Sequence, residues 1–163
     1  MRCFVARVLV LALLVIGGAA RGEERGTGIG VIIGEPTGLT AKVWKGGGRS
    51  VDMGLAYSLG YYLLFYSDYL VHFWEEPSNV GQLSPYIGIG AVVLAASGGP
   101  IGHHYFWGNG AAVGAGLRIP VGISWVPRDV PLGVFAEIVP GVGILPSSFA
   151  FFQGGIGIRY LFS

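Results

Sequence analysis

Residues 154–162 alternate strictly. Ile156, Ile158, Tyr160 and Phe162 share one parity, and Gly155, Gly157, Arg159 and Leu161 share the other. A two-residue period is that of a β-strand, whose successive side chains point to opposite faces. The same rhythm recurs upstream and predicts eight antiparallel strands, near residues 27–34, 39–44, 50–59, 62–74, 85–95, 111–125, 132–142 and 154–162. Turn chemistry separates several of them: Glu35-Pro36-Thr37-Gly38, the glycine run between Lys45 and Arg49, and the stretch from Pro127 to Pro131. Residues 75–82 and 143–149 read as loops, and residues 96–109 as the longest connection. In the sixth strand the alternation passes through Pro120 without slipping. That predicts one strand with a local defect, since proline removes a ladder bond; the alternative is a hairpin at Arg118–Pro120.

The ionisable residues within these strands are Lys42, Asp52, Asp68, His72, Arg118, Glu137 and Arg159. All of them lie opposite the Ile/Val/Leu parity. A soluble sheet turns its aliphatic face inward, whereas a membrane barrel turns it to lipid and keeps small and charged residues in its lumen. Without His72 the set holds three cations and three anions, a balance suited to a closed interior where buried charges must be paired. An eight-stranded barrel is just wide enough for side chains to fill. Glycines such as Gly54, Gly90, Gly116 and Gly157 share the charged parity, which suits a curved wall with bulky side chains crossing a narrow space. The alternative is a soluble sheet whose charges face water.

Composition sharpens this choice. Hydrophobic residues make up 52% of the 163, charged residues only 12%, and glycines number 30. The charged share is about half that of ordinary soluble domains, so much apolar surface must face something other than water. Arg2 and Arg7, the apolar run from Val8 to Ile16 and the small residues Gly17-Gly18-Ala19-Ala20 read as a cleaved secretory signal peptide over residues 1–22, followed by one domain over 27–163. The alternative is an N-terminal anchor helix, for which the apolar run is short. Cleavage removes Arg2, Arg7 and Arg21, leaving seven basic and nine acidic residues, and also removes Cys3, the single cysteine. Such a chain has no electrostatic footprint for nucleic acid.

Aromatics gather near strand ends. Tyr57, Tyr62, Phe73, Trp74, Trp125, Tyr160 and Phe162 suit the interfacial girdles of a barrel. Catalytic signals are thin. Asp68 and His72 are spaced i, i+4 on one strand face, but Ser67 has the opposite parity and nothing brings Ser58 within reach. No phosphate loop and no cysteine pair occurs, and His103-His104 lies in the long connection with Phe106-Trp107. No enzyme activity, metal or cofactor is expected.

Several stretches carry a resemblance. They are the run from Gly28 to Thr40, Asp68-Tyr69-Leu70-Val71-His72-Phe73, Arg118-Ile119-Pro120-Val121-Gly122, and the run from Gly154 to Tyr160. With the signal peptide and the near-terminal aromatic, the chain resembles small outer-membrane β-barrels of OmpA/OmpX type, and more narrowly a spirochaete-type family of such barrels. The resemblance implies a single eight-stranded up-and-down transmembrane β-barrel in a bacterial outer membrane. It further implies the lipid bilayer, periplasmic chaperones and the outer-membrane assembly machinery as partners. Ser163 follows Phe162, a departure from the terminal aromatic that serves as assembly signal in that class. The expected role is envelope structure or surface interaction, with no porin-sized pore. The alternatives are a secreted lipocalin-like carrier of a small apolar ligand, a narrow channel, or a helical membrane protein through residues 87–96 and 111–126.

Overall fold

The computed structural model describes residues 26–58, 62–73, 76–78, 81–96, 113–127, 129–145 and 148–162. Residues 1–22, expected to be a signal peptide, lie outside the described residues. So do His103-His104, Phe106-Trp107 and Trp74, and the side chains of Ser58 and Tyr62.

The described chain is all β: β1 (Thr27–Glu35), β2 (Thr37–Gly46), β3 (Arg49–Ser58), β4 (Tyr62–His72), β5 (Glu76–Ser78), β6 (Gly81–Ala96), β7 (Val113–Arg118), β8 (Val121–Pro127), β9 (Leu132–Leu145) and β10 (Phe149–Phe162). Every pairing is antiparallel, and each strand of the wall lies beside its neighbour in sequence. β5 pairs only with β6. β1 also pairs with β10, from Thr27↔Phe162 to Glu35↔Gly154, so the sheet closes into a ring. Closure gives the edge groups of β1 and β10 partners, each bond worth about 1 kcal/mol net.

β7 and β8 share one place in the ring. Both pair with β6 on one side and β9 on the other, and the register does not change between them: Gly90↔Arg118 and Ile87↔Val121 lie on one continuous ladder, as do Arg118↔Gly141 and Val121↔Ile138. Across the gap Gly88 N–H donates to Pro120 O (2.8 Å) and Ile119 N–H to Pro140 O (2.9 Å). The break is therefore one strand missing the hydrogen that proline lacks, and the ring has eight positions. No hairpin forms at Arg118–Pro120.

The strands are strongly staggered. Stepping between laddered neighbours, Arg159 leads to Gly30, Thr40, Gly54, Tyr66, Val92, Gly116 and Gly143, and back onto β10 at Phe149, ten residues from the start. Ten residues at about 3.3 Å against eight strand spacings of about 4.8 Å give a tilt of about 40°, within the roughly 35–45° of closed barrels. At the end where β1 starts and β10 finishes, here the near end, β2 turns into β3 through Gly47 and Gly48. Their φ values of 60° and 71° suit glycine, which has no Cβ to clash.

The strand bounds correct the sequence expectations at three places. β2 spans ten residues where 39–44 was expected. The expected loop at 75–82 contains β5 and the start of β6, and the expected loop at 143–149 shrinks because β9 runs to Leu145 and β10 begins at Phe149. Alternation at the start of β10 is real, but Phe149 and Phe151 sit on the inward parity and Phe152 on the outward one. With aromatics on both faces, the polarity pattern that marks the other strands vanishes. Residues 87–96 and 113–127 are strands, which overturns the helical alternative.

Candidate functional site

The ring sorts its side chains by parity. Thirty large apolar side chains among the described residues are exposed, from Ile29 and Ile33 on β1 to Ile156 and Phe162 on β10. Twelve polar or charged residues among those described are buried, and they include Lys42, Asp52, Asp68, His72, Arg118, Glu137 and Arg159, the seven ionisable strand residues of the sequence. The interior therefore holds the polar chemistry, arranged in tiers along the axis.

At the near end His72 ties four strands together. Its Nε2 lies 3.1 Å from Ser50 Oγ on β3 and 3.5 Å from Lys42 Nζ on β2, and its Nδ1 lies 3.0 Å from Ser84 Oγ on β6. An ammonium has only hydrogens to give, so this network assigns Nε2 as acceptor and Nδ1–H as the donor to Ser84. Trp44 packs on the imidazole at 4.3 Å between ring centroids. The Lys42 ammonium lies 5.0 Å from the Trp44 ring and 4.7 Å from the Tyr86 ring, within range of cation–π attraction.

The middle tier is built on two arginines. Arg159 Nη2 contacts Asp52 Oδ2 at 2.6 Å and Thr40 Oγ1 at 2.7 Å, and Thr40 in turn donates to Asp52 Oδ1. Its guanidinium stacks 3.7 Å from the centre of the Phe135 ring. Arg118 lies between two acids, with Nε 3.1 Å from Asp68 and Nη2 3.5 Å from Glu137. Glu137 also accepts from the Tyr86 hydroxyl at 2.9 Å. Tyr66 joins the two groups: its ring lies under Arg118 at 4.0 Å and its hydroxyl reaches Thr40 at 3.5 Å. Buried charges persist only when so paired, because desolvation costs several kcal/mol per ion.

Towards the far end the filling turns apolar. Ala56, Leu64, Tyr66, Val92 and Leu94 form a buried cluster against which Phe149 and Phe151 pack. Glycine makes the crossing possible at every level. A Cβ at Gly54 would overlap the Tyr66 ring, at Gly122 the Tyr86 ring, at Gly157 the Phe135 ring, and at Gly141 and Gly143 the rings of Phe151 and Phe149.

Of the expected girdle aromatics, Tyr57, Phe73, Trp125, Tyr160 and Phe162 are exposed on the outer wall. Phe73, Trp125, Tyr160 and Phe162 stand at the near end, whereas Tyr57 stands at the far end of β3. Thr40, Tyr66, Tyr86 and Gln153 belong to the interior network but were not picked from the sequence. Parity signals Thr40, which shares a strand face with Lys42, and Tyr66, which shares one with Asp68 and His72; Tyr86 lies on the glycine parity of a strand that carries no charge. Gln153 fell in the stretch just before the expected last strand. Ser67, set aside for its parity, does point outward, and the serines beside His72 are Ser50 and Ser84. No family model matches the chain, nor does any curated protein or solved structure.

Proposed function

We propose that this chain is an eight-stranded outer-membrane β-barrel with a filled lumen, exported by its signal peptide and acting in envelope structure or surface interaction. The observation that carries this reading is the inverted polarity. Water would meet thirty large apolar side chains on the outside while buried arginines and acids pair within. Lipid makes that arrangement favourable, because apolar side chains then face hydrocarbon and the closed sheet pairs its backbone groups within itself, apart from the hydrogen that Pro120 lacks. Strand length agrees: about ten residues at 3.3 Å, tilted about 40°, rise roughly 25 Å, the height of the apolar band in such barrels, about 25 Å. The near-end aromatics Phe73, Trp125, Tyr160 and Phe162 suit one interfacial girdle. The resemblance to OmpA/OmpX-type and spirochaete-type small barrels points the same way.

A secreted lipocalin-like carrier needs the opposite orientation, with aliphatic residues lining a cavity. The interior instead holds ion pairs below and packed aromatics above, which also leaves no width for a porin-like path. The role is therefore mechanical or adhesive, with lipid as the constant partner and the assembly machinery and periplasmic chaperones as transient ones.

Fractionation tests the proposal. The protein should stay with the outer membrane until detergent is added, and its gel mobility should change on boiling in SDS. In planar bilayers it should give no porin-sized conductance steps. Release into the soluble fraction without detergent would sink the membrane reading, and large steady conductance would sink the filled lumen.

A further inference from the structure

The boundary between the ionic tier and the apolar cap contains a small cavity. Its lining includes Ile32, Glu35, Tyr66, Arg118, Glu137 and Gln153, and it lies beside the turn from β1 to β2. Its volume of about 10 Å³ matches the space that the centre of one water explores. Gln153 is only 4% exposed. Its Oε1 accepts from Arg118 Nη1 at 3.5 Å, while its Nε2 has no acceptor among the described residues. An amide donor buried without an acceptor is costly, and a void of this size beside it is the usual place for an internal water.

We infer that this cavity is a binding site for one structural water, held by the Gln153 amide as donor and by the Glu137 carboxylate and Tyr66 hydroxyl as acceptors. Of the five polar side chains on the lining, Gln153, Glu137 and Tyr66 would supply about three bonds, the number that buried waters make. A larger guest does not fit, and a bare anion would face the Glu137 carboxylate. The site is a dead end. On the near-end side the contacts of Arg118 with Asp68 and Glu137, and of Tyr86 with Glu137, close it off. This inference does not rest on the membrane assignment. It needs only the closed ring and the position of Gln153.

The test uses the folded, ¹⁵N-labelled full protein in detergent micelles. Side-chain amide protons of Gln153 should give cross-peaks at the water frequency, with NOE and ROE of opposite sign, the signature of a long-lived contact. Assigned Gln153 protons without such cross-peaks would overturn the proposal, as would cross-peaks to the detergent headgroup in their place. Independently, Gln153→Leu should lower the number of long-lived waters counted by oxygen-17 relaxation dispersion by one. An unchanged count in the folded variant would also overturn it. If Gln153→Leu fails to fold, the wild-type cross-peaks decide alone.

Discussion

At the residue scale Arg118 is the member of the interior with the most to lose. It is 1% exposed, flanked by Asp68 and Glu137, stacked on Tyr66 and close to Gln153. Glu137 sets part of its environment and also receives the Tyr86 hydroxyl. Glu137→Ala removes one of two counter-charges and leaves a hydroxyl without its acceptor. Orphaning a partner of a buried pair costs about 3–5 kcal/mol, and Asp68 remains, so the loss should be near the lower end of that range. Glu137→Gln keeps the acceptor and should lose less. Urea unfolding of the refolded protein checks both, and an Ala variant with the wild-type midpoint would refute a network in which Glu137 matters. The charge set was legible in the sequence because parity alone separated it from the aliphatic face. The partners were not. Nothing in a one-dimensional pattern tells Arg118 from Arg159 as the neighbour of Glu137, because the pairing depends on stagger around the ring.

At the element scale the informative strand is the one that Pro120 interrupts. Gly88 donates to the Pro120 carbonyl, and in an antiparallel ladder a residue's N–H and C=O point to the same neighbour. Pro120→Ala would therefore offer a new amide to Gly88 O. That bond contributes about 1 kcal/mol, and the greater freedom of the unfolded chain costs about 0.4–1 kcal/mol. The two nearly cancel, but Pro120 is fully buried and losing two ring carbons costs about 0.8 kcal/mol each, so the unfolding midpoint should fall modestly. Hydrogen exchange carries the information: the amide newly created at position 120 should be as protected as that of Ile119. Fast exchange of that new amide would mean that β7 and β8 are separate strands. Unbroken alternation from Val113 to Trp125 had announced the single strand. The beginning of β10 was hidden for the opposite reason, since Phe149 and Phe151 join the apolar far-end filling and leave its inward face as apolar as its outward one.

At the scale of the whole molecule the outer wall decides the environment. Ile89 lies halfway along β6, points outward and is 61% exposed. If lipid surrounds the ring, Ile89→Lys sets an ammonium near the bilayer midplane and should destabilise the protein by about 2–4 kcal/mol. In water the same change on an exposed position would alter stability by less than about 0.5 kcal/mol. Unfolding from phospholipid vesicles separates these outcomes, and a neutral effect there would speak against immersion. The fold was readable at this scale because two-residue alternation, glycine abundance and scarce charge all point to one closed sheet. The ten-residue stagger was not, since register is a relation between strands that lie far apart in sequence.

The meeting of β1 with β10 has a kinetic meaning. Thr27 finds Phe162 across nearly the whole described chain, and contacts so remote are reached late because the intervening segment must first surrender its freedom. Until that seam zips, two raw margins remain open to other chains. A polypeptide cut short before Phe149 could never seal itself and would be a magnet for aggregation, whatever the quality of its remaining hairpins.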